Sequence, residues 1–220
     1  MRYLIPALIL STAAASYAYD LTPLDGCRAS TGAMCASANL KGVNWRGAQL
    51  SFAELERAQL AGARLDRAVL EGADLSNANL AGAGLVAANL RAADLAEASL
   101  RHSRLSRSDL RFARLRGADM SDAVLRDATL SVADLTEAIL RSADLENADL
   151  RRAELTRADA SHANFHDADL SGASLQGANL RGANFRNADL REANLSGASL
   201  EDATFAGAVM DDCIGCPRIP

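Results

Sequence analysis

Large apolar residues recur at every fifth position along this chain. Leu40, Trp45, Leu50, Leu55 and Leu60 open a series that runs to Phe205 and Met210. Two residues before each stands a small residue, nearly always Ala; Val43, Ser103 and Ser108 are the exceptions. The register holds for 35 consecutive pentads over residues 38–212 without an insertion, and its one weak centre is Ala160. Neither regular element can use this period. An α-helix advances about 100° per residue, so five residues carry each leucine about 140° around the axis and no apolar face results. A flat strand alternates faces every two residues, so an odd period flips successive leucines to opposite sides. A backbone that bends once per pentad resolves the conflict. Each pentad becomes one side of a turn, with its central residue and small partner facing in, and successive turns stack as a solenoid.

The repeated unit resembles the pentapeptide-repeat motif A-(D/N)-L-X-X, seen at Ala73-Asp74-Leu75, Ala148-Asp149-Leu150 and Ala178-Asn179-Leu180. The resemblance covers about four-fifths of the chain. It implies an all-β fold: a right-handed quadrilateral parallel β-helix with four pentads per coil. Over residues 38–212 that makes about nine coils and, at about 4.8 Å per coil, a rod about 42 Å long. Residues twenty apart then stack, which puts Phe165, Phe185 and Phe205 in one internal column with Trp45 at its far end. Positions flanking each central residue face outward.

Charge adds detail to that outer surface. The 220 residues carry 23 Lys and Arg against 28 Asp and Glu, a net of −5, which argues against a general nucleic-acid binder. Asp149, Asp169 and Asp189 fall in one outward column, with Arg151 and Arg191 two residues along the same sides. One coil is basic: Arg101, Arg104, Arg107, Arg111, Arg114 and Arg116 lie within residues 101–120 against Asp109 and Asp119. Twenty residues circle the rod once, so these form a belt. Phe112 belongs to the belt at an outward position, with Val132 stacked one coil on. Arginine beside an exposed aromatic is a common recognition surface. This belt is the candidate interaction site.

The ends carry separate signals. Met1 and Arg2, an apolar run from Tyr3, and the small residues Ser16 and Ala18 three and one before a cut match a secretory signal peptide over residues 1–18. The uncharged stretch is too short for a membrane span. Export to the periplasm or exterior of a bacterium is the expectation, with no span after cleavage. Residues 19–37 are expected to complete an N-terminal cap, and residues 213–220 a C-terminal cap and tail. Cys27 and Cys35 precede the repeats; Cys213 and Cys216 follow them. On the rod length implied by the resemblance, pairing across the ends exceeds disulfide reach, which leaves Cys27–Cys35 and Cys213–Cys216. Oxidation fits an exported protein. The competing reading of Cys-Ile-Gly-Cys as a redox or metal motif lacks the βαβ context that a thioredoxin-like site needs.

No catalytic, cofactor-binding or metal site is expected. His162 and His166 flank a corner near Asp167 without an evident third or fourth ligand. Neither a nucleophile elbow, a P-loop nor a zincin motif occurs. The resemblance also raises a competing role. Fluoroquinolone-resistance members of the family imitate DNA and occupy DNA gyrase. B-DNA carries one charge per about 1.7 Å, so a DNA-mimicking rod of about 42 Å calls for about 25 negative charges. Without the leader this chain has 22 Lys and Arg against 28 Asp and Glu, a net of −6. The leading expectation is therefore an exported, non-enzymatic scaffold or protein-interaction rod, needing no cofactor and no nucleic acid. It is expected as a monomer or a weak end-to-end oligomer with an unidentified protein partner. The gyrase inhibitor or protector is the alternative.

Overall fold

A computed structural model describes residues 27–217. The expected signal peptide, the start of the expected N-terminal cap and the last three residues of the tail lie outside the described residues. Within them, residue i pairs with residue i+20 through a parallel backbone bridge, from Met34 with Glu54 to Asn194 with Ile214. Four pentads therefore complete one circuit. Pairing is confined to one residue per side. Each bridge is isolated, because the chain turns immediately after it, so no extended strand forms among the described residues.

The pentad around Leu75 shows why this backbone closes. Leu75 N–H donates to Asp94 O (2.7 Å), Asn77 N–H to Ala96 O (2.8 Å) and Asn79 N–H to Ala58 O (2.9 Å), which ties the turn to both neighbours. Ala78 N–H donates to Leu75 O at 3.0 Å and closes the bend. Only Ser76 N–H lacks a backbone acceptor, and it donates to the Asp74 carboxylate at 2.9 Å. All five donors are thus satisfied, as buried backbone requires. The Asp or Asn of the motif is this Asx cap. It recurs at Asn79, Asn89, Asp94, Asp134 and Asn194, among others.

Each bend places its third residue at positive φ, as a type II turn demands. Twenty-five non-glycine residues adopt it, spaced in fives with glycines filling the remaining steps. Left-handed backbone costs an L-residue about 1–2 kcal/mol. Here the inter-turn hydrogen bonds outweigh it.

Inside, the leucine and alanine columns are fully enclosed from Leu50 to Leu195. Each large side chain contributes about 1.5–3 kcal/mol by burial. Phe165, Phe185 and Phe205 stack as expected, with ring centroids 4.9 and 5.0 Å apart and planes within 8°. Disulfides join Cys27 to Cys35 and Cys213 to Cys216, with Cα atoms 5.3 and 5.8 Å apart. Cys27 and Cys35 are buried and extend the core at its start. Toward the other end, Leu200 and Met210 are only partly covered.

Candidate interaction surface

Four of the six belt arginines are neutralised by carboxylates. Arg101 meets Asp119 at 3.3 Å, Arg114 meets Asp94 at 3.3 Å and Arg116 meets Glu137 at 3.0 Å. Arg111 grips Asp109 through two guanidinium nitrogens, at 2.8 and 2.5 Å. Arg104 and Arg107 form no ion pair among the described residues. The belt is therefore mostly a set of closed ion pairs, most of which reach a neighbouring turn, with an unpaired pair of cations on one side.

Phe112 and Val132 both face out, 47% and 48% exposed. Both occupy the left-handed corner position, at φ 61 and 60. Arg91 Cζ lies 4.6 Å from the Phe112 ring centroid, a cation–π contact that orients the ring without covering it. Phe52, which the sequence reading did not single out, belongs to the same corner three turns earlier and is 65% exposed. Its ring lies over Gly72, where a Cβ would come within 2.6 Å of it. The signal was available: residues 52, 72, 92, 112 and 132 are spaced by twenty, and their sequence is Phe, Gly, Ala, Phe, Val.

The acidic columns are not free carboxylates. Asp149 accepts from the Arg151 backbone and guanidinium, and Asp189 does the same with Arg191. The side-chain hydrogen bond from Arg151 holds Asp149 below the usual carboxylate range, and Arg111 and Arg191 do so for Asp109 and Asp189. Asp169 instead accepts from the Ser171 N–H and hydroxyl, at 3.0 and 2.7 Å.

The histidines stay apart. His166 donates through Nδ1 to Arg186 O at 2.9 Å and its Nε2 lies 3.2 Å from Asp167. The His162 ring packs over Gly182. Among the described residues no group of three or more His, Cys, Asp or Glu side chains is placed to hold a metal ion, and no helix is long and apolar enough to cross a membrane.

The Pentapeptide repeats family profile matches in eight copies, in segments running from 31–65 to 168–207. The chain belongs to the pentapeptide-repeat family. It is similar to HetL of the cyanobacterium Nostoc sp. strain PCC 7120, a pentapeptide repeat protein involved in heterocyst differentiation regulation. Identity is 34% over 82% of this chain and 87% of HetL, with a TM-score of 0.42. QnrB1, a plasmid-mediated fluoroquinolone resistance protein, shares 20% identity over 72% of this chain and 87% of its own, with a TM-score of 0.46. A pentapeptide repeat protein of the Arabidopsis thaliana thylakoid lumen shares 26% identity over 62% and 71%, with a TM-score of 0.34. No curated protein sequence matches.

Proposed function

We propose that this chain is an exported, non-enzymatic scaffold: a right-handed rod of about nine coils that presents one corner to a protein partner. The observation that carries this reading is the exposed pair Phe112 and Val132. Left-handed backbone is least tolerable for a β-branched residue such as Val132, and neither side chain is buried in return. The bend itself requires neither residue, since glycine holds the equivalent corner at Gly72 and Gly172. Left-handed backbone is common to all the corners, but Val132 is the one β-branched residue among the 25 non-glycine corners of the described residues, and its exposure there points to use. Aromatic anchors edged by arginine are the residues on which protein interfaces concentrate binding energy.

DNA mimicry finds less support. Arginines pair with many of the motif carboxylates, Asp109, Asp149 and Asp189 among them, so the outer surface alternates in charge where a phosphate track would be continuously anionic.

A photo-crosslinking residue at position 132, expressed with the leader intact, tests the reading. Capture of one protein at 132, with none at position 201 near the far end, is the expected result. Capture that persists after Phe112→Glu rejects the corner as the contact. Retention of residues 1–18 in the mature chain rejects export by cleavage.

A further inference from the structure

Arg67, Ala87 and Arg107 occupy one corner in three successive turns, all at positive φ (59, 56 and 59). Ala87 is the short member, so the corner is notched. The two arginine Cα atoms stand about 10 Å apart, two inter-strand spacings. The notch is a cavity of about 670 Å³ lined by Arg46, Asp66, Arg67, Val86, Arg104 and Arg107, with Gly47 and Ala87. That volume lies within the range of about 300–1,000 Å³ typical of small-molecule sites.

Its charge is unbalanced. The one carboxylate, Asp66, is occupied: Oδ2 accepts from Arg46 Nε at 2.8 Å and Oδ1 from Val86 N–H at 3.2 Å. Gly84 makes room for it, since a Cβ there would stand 3.0 Å from Asp66 Oδ1. Arg67, Arg104 and Arg107 have no carboxylate partner among the described residues. Four arginines against Asp66 leave a local charge of +3 on a chain whose net charge is −5. The paired arginines of the same belt show that this sequence supplies carboxylates to guanidiniums elsewhere. Here, three cations converge on a hollow floored by Val86 and Ala87.

We propose that this notch binds a small phosphoryl-bearing molecule. Guanidinium forks on either side of Ala87 match a phosphoryl group in geometry and charge. The Val86–Ala87 floor receives the carbon part of the ligand. This inference depends on neither export nor the Phe112–Val132 corner.

The probe is inorganic pyrophosphate, titrated calorimetrically into the whole chain at low ionic strength. The expected result is single-site binding that weakens as salt rises. It also weakens at least tenfold in Arg67→Glu and in Arg107→Glu. Arg116→Glu, outside the notch and paired with Glu137, leaves it unchanged. Ala87→Glu separates binding from folding. Glu97 and Glu137 already hold glutamate at positive φ, so the fold accepts one there. That variant keeps the parent melting midpoint and loses pyrophosphate binding. Phosphatidate-containing vesicles distinguish two sources of the phosphoryl group. Sedimentation that Arg107→Glu abolishes identifies a lipid head group, and pyrophosphate binding without sedimentation identifies a soluble ligand. Absence of both, or binding that survives both Arg107→Glu and Ala87→Glu, overturns the proposal.

Discussion

Asp149 accepts three hydrogen bonds from one residue, Arg151: the backbone N–H at 3.1 Å, Nε at 2.8 Å and Nη2 at 2.7 Å. The same clasp joins Asp109 to Arg111 and Asp189 to Arg191, so it recurs every second turn. One side chain completes the bend and neutralises its own charge.

The two roles separate by substitution. Asp149→Asn keeps an oxygen for the N–H, as Asn79 and Asn89 do at equivalent sites, and is expected to cost about 0.2–1 kcal/mol, the value of an exposed ion pair. Asp149→Ala orphans the N–H and costs about 1–2 kcal/mol. Equal losses in urea melts would show that the ion pair, and not the cap, stabilises the bend.

Acid lability follows from the same clasp. Asp109, Asp149 and Asp189 are held below the unfolded value of about 3.9 by arginine hydrogen bonds. Their contribution is complete above that value and is lost as pH falls through the lowered folded values. The melting midpoint is expected to be level from pH 7 to about 5 and to drop below about 4. In a variant with Arg111, Arg151 and Arg191 all changed to Gln, stability near neutral pH is lower and the drop on acidification is shallower, because the folded and unfolded values converge. An unmoved drop would locate the acid-sensitive groups elsewhere.

Ser108 fills a position that is almost always Ala. Its Oγ is buried and has no hydrogen-bond partner among the described residues. Ser103, the other buried serine on that inner position, donates to Leu100 O at 2.6 Å. Ser108→Ala is therefore expected to stabilise by about 1 kcal/mol, the penalty of an unpaired buried hydroxyl, and Ser103→Ala to change little. Thermal melts of the two single variants decide the matter. A loss in Ser108→Ala would mean that the hydroxyl has a partner.

The period of five was enough to read the inward residues. The stacking of the Phe165 column and the cysteine pairs needed, in addition, the four-pentad coil and rod length that the family resemblance implies. The charged surface was less legible. Asp149 reads as part of an acidic column, because nothing in the sequence marks the N–H two residues on as the one donor without a backbone acceptor. Arg101 and Arg114 read as free cations, because Asp119 and Asp94 lie 18 and 20 residues away and meet them only when turns stack. Phe52 was missed for the opposite reason: it stands alone in its coil, and only the corner column connects it to Phe112.

Leu110 and Leu150 are fully buried. An aspartate at either centre places a carboxylate where no partner is within the apolar column, a change costing several kcal/mol. Because each turn touches only its neighbours, hydrogen exchange is expected to lose protection within about one turn on either side while distant turns keep it. Unaltered exchange and melting in Leu110→Asp would reject the inward register itself.

Val132 gives the sharpest contrast between folding and use. Replacing it with glycine removes an exposed β-branched side chain from φ 60, where glycine is at ease. Relief of about 1–2 kcal/mol from left-handed backbone is offset in part by the greater freedom of unfolded glycine, leaving a net gain of about 0.5–1 kcal/mol. Gly172, two turns further on the same corner, shows that the position accepts glycine. If the corner contacts a partner, the stabilised variant gives up that contact, and crosslinking from a probe placed at Phe52 or Phe112 falls. Stability that rises while crosslinking holds would make Val132 a tolerated irregularity of the repeat and leave Phe112 to carry the interface alone.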